Sequence, residues 1–411
     1  MSLDEAARRD RADPLAPLRD CFALPADTVY LDGNSLGALP KAVPARVQAL
    51  LAEEWAQDLI ASWNRHGWID LPERVGEQVA PLVGAAPGQV LCCDSISVNL
   101  FKLLATALAL RPGRRTILVE AGDFPTDRYL AGGLASFLGA ERCRVREAPG
   151  GELAAALDDD VAVLLATEVN FRSGRRHDMA ALTRAAHDAG ALALWDLAHS
   201  AGAMPVRLDR CGVDLAVGCG YKFLNGGPGA PAFLYVARHH QDAVQQPLTG
   251  WLGHRSPFAF ADRYEPAPGV LRYQAGTPSI IALCALEAAL AVFDGVALED
   301  LRAKSLALTD FFLAAIDAEP ACSAVRVLTP RAHRERGSQV SLAHPEGYAV
   351  AQALIEAGVI VDFRAPDIVR FGFAPLYNSF ADAAAAARGL ATVLAGEHHR
   401  AERFRARARV T

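Results

Sequence analysis

Two short strings in this chain bring together residue types whose pairing points to chemistry. One is Trp195-Asp196-Leu197-Ala198-His199 and the other is Gly220-Tyr221-Lys222-Phe223. Each follows an apolar run, residues 191–194 and 215–217, of the kind that forms a buried strand. An aspartate, a histidine and a lysine at the mouths of neighbouring strands suggest pyridoxal phosphate. A lysine amine forms a Schiff base with its aldehyde, and a carboxylate keeps the pyridine nitrogen protonated so that the ring withdraws electrons. Lysines are seldom buried without a reason, and an amine removed from water is more readily neutral, as that bond requires. The following run Asn225-Gly226-Gly227-Pro228-Gly229 lets the backbone approach another group closely and lacks the spacing of a nucleotide loop.

Two further segments fit the same group. Cys92-Cys93-Asp94-Ser95-Ile96-Ser97 ends a strand pattern and opens a helix pattern, so backbone amides and a hydroxyl there make an anion site. Gly122-Asp123-Phe124-Pro125-Thr126-Asp127 offers an aromatic ring to stack on a pyridine. Taken singly, each residue has a plainer reading. A serine before a helix is usually a cap, Asp127 serves equally as one, Asp196 suits a structural ion pair, and His199 suits a satisfied core position.

The elements that must position these residues read as an α/β protein. Strand patterns at 89–93, 116–120, 161–167, 191–195, 215–219 and 232–236 alternate with helix patterns at 97–110, 127–138 and 179–189. That alternation predicts a mostly parallel sheet sandwiched by helices, with ligands beyond the C-terminal strand ends. After about residue 285 the character changes. Helix patterns at 280–294 and 297–318 lead to shorter strand patterns at 324–328, 339–342, 359–362 and 368–372, and the Ala-rich stretch 381–387 reads as helix. The expected organisation is an N-terminal arm over 1–45, a large domain over 46–285 and a smaller α+β domain over 286–411.

Bulk properties exclude several classes. The 411 residues are 52% apolar and 21% charged, with a formal net charge of -6 and no basic stripe, so nucleic acid is not an expected partner. Residues 1–13 are charged, with no apolar core of a secretion signal, and no apolar run approaches the length of a membrane span. The eight cysteines show no paired or metal-binding spacing and read as small buried hydrophobes in a reducing cytoplasm. The doublets His239-His240 and His398-His399 lie in polar, helix-like stretches and read as solvated surface, so no metal is expected.

Longer strings make the reading specific. They are Tyr30-Leu31-Asp32-Gly33-Asn34-Ser35-Leu36-Gly37, Trp63-Asn64-Arg65-His66-Gly67-Trp68, Ser97-Val98-Asn99-Leu100, Phe124 to Asp127, Asp196 to His199, Gly220 to Phe223, Gly250-Trp251-Leu252-Gly253-His254 and Arg370-Phe371-Gly372-Phe373-Ala374-Pro375-Leu376-Tyr377-Asn378-Ser379-Phe380. In this order the chain resembles the kynureninase family, in the class V aminotransferase branch of the fold-type I pyridoxal phosphate enzymes. The resemblance implies hydrolysis of L-kynurenine, and of its 3-hydroxy form, to anthranilate or 3-hydroxyanthranilate and L-alanine by a cytoplasmic homodimer. It implies that Lys222 carries the cofactor, Asp196 pairs with the pyridine nitrogen and Phe124 stacks on the ring. Ile96, Ser97, Asp127, Tyr221, Trp251 and Thr277 would surround the phosphate, the last two reaching it from the partner subunit. Thr167 and His199 would complete the shell, Arg370 would grip the substrate α-carboxylate, and Ser35 and Trp63 would border the aryl ketone. Tyr221 is the candidate acid. Family members often carry Thr at position 97, and Trp63 and Thr277 follow the bacterial rather than the animal pattern. The rivals are an aminotransferase or a cysteine desulfurase of the same branch, or a non-catalytic ligand-binding relative. A desulfurase needs a cysteine on a mobile loop and usually a His before the lysine. Here Tyr221 precedes the lysine, Cys284 lies in an apolar helix pattern and Cys322 lacks a Gly/Ser-rich loop. A non-catalytic relative would be expected to lose the lysine or its aspartate, and both are present.

Overall fold

The computed structural model describes residues 2–404 and 406–407, so Met1, residue 405 and residues 408–411 of the expected terminal units lie outside the described residues. At its centre is a seven-stranded sheet in the order Val90–Cys92, Ala232–Val236, Leu215–Cys219, Leu192–Asp196, Val161–Thr167, Thr116–Glu120, Arg144–Ala148. The five strands from Leu215–Cys219 to Arg144–Ala148 are parallel. Ala232–Val236 runs antiparallel to both of its neighbours.

Apart from the edge strand Arg144–Ala148, the strand sequences are largely apolar because both faces are covered. Leu192 and Leu194 point to a core shared with the helices Ile96–Leu110 and Pro125–Leu138. Ala193 and Trp195 point to the opposite core, formed with the helices Leu71–Val79, Met179–Asp188 and Ile280–Leu290. This is the two-residue alternation of a pleated strand, and each Leu or Val so covered contributes about 2 kcal/mol. Trp195 can be fully buried because its indole Nε1 donates to Thr183 Oγ1 at 3.0 Å.

A second, four-stranded antiparallel sheet has the order Arg326–Val327, Gln339–Ala343, Ile368–Gly372, Asp362–Arg364. With the helices Leu298–Asp317, Gly347–Glu356 and Phe380–Ala395 it forms a separate core. The N-terminal segment joins that core. Ala6 of the helix Leu3–Ala12 is buried in it, and Val29–Tyr30 pairs in parallel with Val359–Ile360. Lys304 and Asp13 form a buried ion pair at 2.7 Å between the long helix and the residues just after the first one.

Several expectations change. The edge strand Arg144–Ala148 carries three charged residues in five, so no apolar period marks it. The pattern at 359–362 is two strands, broken at Val361, because its halves pair with different partners. Residues Leu50–Asp58 form a π-helix that propensity does not signal. Cys21 is exposed, while Cys92, Cys93, Cys143, Cys219, Cys284 and Cys322 are buried, and all eight are free. His240 and His399 are buried rather than solvated, since Asp214 and Glu346 respectively draw them inward. Among the described residues no single helix is long and apolar enough to cross a membrane.

Removing one partner of a buried ion pair strands the other charge out of water. Asp13→Ala is therefore expected to cost about 3 kcal/mol, read as a lower denaturant midpoint. An unchanged midpoint would show that the N-terminal segment is not anchored through Lys304.

Candidate active site

Parallel strands place their C-terminal ends along one edge of the sheet. Thr167 lies opposite Asp196, and Asp196 lies opposite Val217, two residues before the end of the next strand. The chain leaves these ends in the turns that carry His199 and Lys222. A cavity of 140 Å³ opens there, lined by Ile96, Ser97, Phe124, Thr167, Asp196, His199, Tyr221 and Lys222, together with Asp123, Phe171 and Cys219. The larger cavity of 690 Å³, lined in part by Phe137, Arg142 and Gln245, lies elsewhere and holds none of these residues.

Lys222 is buried, with Nζ 3.1 Å from His199 Nε2 and 5.8 Å from the ring centres of Phe124 and Tyr221. Burial first, then the Lys222 charge, holds His199 well below the usual imidazole value. His199 is thus neutral, and its Nε2 accepts from Lys222 Nζ only when the proton sits on Nδ1, which has no hydrogen-bond partner. Asp196 Oδ1 accepts the Ala198 amide at 2.8 Å. Burial raises the Asp196 carboxyl, opposed by Lys222 and by that amide. Asp127, in the first turn of Pro125–Leu138, is fully buried with neither carboxyl oxygen hydrogen-bonded. Burial and the neighbouring Asp196 and Asp123 push it well up. Asp123 is raised by burial and by Glu120, while Glu120 is 2.8 Å from His177 Nε2.

These groups fit pyridoxal phosphate. A buried carboxylate awaits a cationic ring nitrogen, an aromatic flanks the cavity, and orphaned polar atoms at Asp127 and His199 await partners. At the cavity edge the helix Ile96–Leu110 begins, capped by Ser95 Oγ accepting the Val98 amide at 3.4 Å. The remaining first-turn amides are open to an anion. Beneath this turn, Lys102 holds Asp94 at 2.6 Å, and Asp94 takes the left-handed conformation at φ 49°.

Arg370 sits behind the cavity wall rather than lining it. Asp362 lies opposite it in the antiparallel pair and clasps it, Oδ1 accepting from Nε at 2.6 Å and Oδ2 from Nη2. Nη1 donates to the Phe171 carbonyl at 2.8 Å and Nη2 to Ser35 Oγ at 3.0 Å. Ser35 Oγ in turn donates to Asp362 Oδ2 at 2.6 Å, and Arg364 reaches the same oxygen at 2.7 Å. The link to the cavity is Phe171, whose ring stands edge-on to Phe124 at 5.2 Å. Asp32 is raised by burial and by the nearby Asp362 charge.

Three expected residues stay apart from the cavity within one chain. Trp63 packs edge-on against Trp68 at 6.0 Å. Trp251 is exposed and stacks among Phe258 and Phe260. Thr277 lines a different cavity, of 240 Å³, beside Cys93 and Asp94. Conversely, Asp123, Phe171, Asp362 and Arg364 belong to the site and were not anticipated. The available signal was the pair of charged residues Asp362 and Arg364 in a strand pattern just before Arg370.

The chain matches the family model described as the kynureninase C-terminal domain over residues 301–390. It is 51% identical over 413 residues to the kynureninase of Burkholderia pseudomallei (strain 1106a), covering 99% of each chain. It is 54% identical over 390 residues to the kynureninase of Deinococcus radiodurans, covering 94% of each. Among solved structures it resembles the apo cysteine desulfurase from Thermococcus onnurineus NA1, with a TM-score of 0.77 at 20% identity, over 92% of this chain and 98% of that one. That likeness shows the fold, the fold-type I architecture expected from the sequence.

A carboxyl whose folded value is raised binds its proton more tightly folded than unfolded, so it lowers stability as pH climbs above the unfolded value of about 3.9. Asp127→Asn removes that penalty. The cofactor-free variant is expected to unfold at a higher denaturant midpoint at pH 8 and to gain less on going to pH 5 than the wild type. Identical pH dependence in the two proteins would mean that Asp127 is ionised in the fold.

Proposed function

The chain belongs to the kynureninase family, and from that membership we propose that the cavity beside Lys222 is where kynurenine is cleaved between Cβ and Cγ, giving anthranilate and L-alanine. It is an enzyme that depends on pyridoxal phosphate. The observation that carries the site assignment is the buried Lys222 amine, 3.1 Å from a neutral His199 in a cavity that also holds Asp196 and Phe124.

Pyridoxal phosphate, when bound, supplies an aldehyde for an amine and a ring that draws electrons away from Cα. Ser97, with the amides that open its helix and with Asp127 and Tyr221, would hold the phosphate. Phe124 would cover the ring, Thr167 and His199 would border it, and Asp196 would keep its nitrogen protonated. Lys222 Nζ would carry the cofactor and, when free, would take the substrate Cα proton. Tyr221 is pushed up by burial and by the nearby Cys219 and Asp196, so its phenol is protonated at neutral pH and acts as an acid toward the γ-ketone oxygen. Arg370 receives the substrate α-carboxylate; four of its five N–H groups already donate to Asp362, Ser35 and the Phe171 carbonyl, so the carboxylate takes the remaining Nη1 hydrogen or displaces the Ser35 or Phe171 contact. Ser35, expected beside the aryl ketone, accepts from Arg370 Nη2 at 3.0 Å, which supports placing it at the carboxylate end instead.

The functional unit is a homodimer in the cytoplasm, with an arm at 1–45, a large domain at 46–285 and a small one at 286–411. The exposed aromatic group Trp251, Phe258 and Phe260 supports a partner that brings Trp251 and Thr277 to the phosphate and Trp63 to the aryl ring. The 3-hydroxy substrate is accepted as well, placing the reaction in tryptophan breakdown by way of kynurenine, with NAD biosynthesis a further outlet. Desulfurase chemistry lacks a suitable thiol at the cavity, because burial raises Cys219, the cysteine that lines it.

Purified protein given pyridoxal phosphate and L-kynurenine is expected to release fluorescent anthranilate and alanine in equal amounts. Anthranilate without alanine, or no product from protein that binds the cofactor, would overturn the reaction. Lys222→Ala should lower the rate by roughly 1000-fold or more and abolish borohydride labelling that survives unfolding; label retained elsewhere would move the attachment point. Arg370→Lys should raise KM about 10-fold, some 1.4 kcal/mol, with kcat changed less. An unmoved KM would remove Arg370 from substrate binding.

A further inference from the structure

At the opposite edge of the large sheet, three imidazoles gather round one buried carboxylate. Asp214 immediately precedes the strand Leu215–Cys219, and Ala232–Val236 runs antiparallel to it, so the turn carrying His239 and His240 returns to the same edge. His187 arrives there in the last turn of Met179–Asp188. The two oxygens of Asp214 have different surroundings. Oδ2 accepts the Ala193 amide at 2.8 Å and lies 2.7 Å from His187 Nε2. Oδ1 lies 2.8 Å from His240 Nε2 and 3.8 Å from His239 Nε2.

The second distance is too long for a hydrogen bond, yet all three atoms on that side lie within 4.8 Å of one another. A tetrahedral zinc ion, bonded at about 2.0–2.1 Å, sets its ligand atoms roughly 3.3 Å apart. The observed 2.8 Å and 3.8 Å bracket that separation. We propose that Asp214 Oδ1, His239 Nε2 and His240 Nε2 form a binding site for a zinc-type divalent cation, with a fourth position open to water. Imidazoles with one carboxylate select this class over calcium or magnesium. Ala193 and His187 fix the carboxylate from behind, as outer partners of a metal ligand do. Arg111 lies close enough for its charge to act on His239, and that charge opposes the metal. The affinity is therefore that of an adaptable site rather than of a permanently loaded one. The ion ties a helix end, a strand start and the turn after the antiparallel strand, one strand length from the cofactor cavity. Its effect is on stability rather than on turnover.

Holoenzyme stripped of metal with EDTA is titrated with zinc chloride by calorimetry, and its melting temperature is followed in parallel. His239→Ala removes an exposed ligand, and His240→Gln keeps a hydrogen-bonding group beside Asp214. The wild type is expected to take up one equivalent and melt higher, both variants are expected to bind at least ~10-fold more weakly, and metal-free anthranilate formation is expected to be equal in all three. No saturable uptake by the wild type up to ~1 mM zinc, or uptake unchanged in His239→Ala, would overturn the proposal and leave a hydrogen-bonded cluster.

Discussion

A single buried pocket must hold a lysine amine, a neutral imidazole and several carboxyl groups side by side, and the rest of the structure is arranged around that requirement. Out of water, like charges cannot all persist. The pocket meets this by giving each group a different setting: Asp127 and Asp123 are raised, His199 is neutral, and Asp196 is raised by burial against the pull of Lys222 and an amide. The large sheet makes the arrangement possible. Its strands are covered on both faces by helices, so their ends are rigid and the turns that follow deliver side chains to fixed points. A cationic ring bound between Phe124 and Asp196 would complete the charge balance that the protein alone leaves open.

The second constraint is the setting of Arg370. Its guanidinium touches the small sheet through Asp362, the large sheet's connecting segment through the Phe171 carbonyl, and the N-terminal segment through Ser35. One planar fork therefore reports the mutual placement of three parts of the chain. Asp362 is shared with Arg364 and Ser35, so its carboxylate is fully employed and the arginine is held in one orientation.

Much of this was legible in the sequence because buried parallel strands leave a strong signal. The runs that became Thr116–Glu120, Val161–Thr167, Leu215–Cys219 and Ala232–Val236 are mostly apolar. Asp196, His199 and Lys222 stood out at or just beyond such runs, whereas Thr167 and Tyr221 as cofactor contacts followed from the family resemblance. What was hidden depends on tertiary neighbours. Arg144–Ala148 is a strand only because an edge position tolerates charge. Asp362 and Asp123 look like ordinary surface acids until pairing buries them. His240 reads as solvated because nothing local announces Asp214, which lies 26 residues away in the chain.

The tether between Ser35 and Arg370 spans 335 residues, and that between Phe171 and Arg370 spans 199. The parallel pairing of Val29–Tyr30 with Val359–Ile360 closes a loop of similar size. Contacts between such distant segments form late and slow folding, because the entropy of closing the loop must be met before they reward it. On the ribosome, the large sheet can assemble while the N-terminal segment still waits for its partner strand. The setting of Arg370 behind the pocket wall is then the last part to exist, completed only when the far end of the polypeptide has been made.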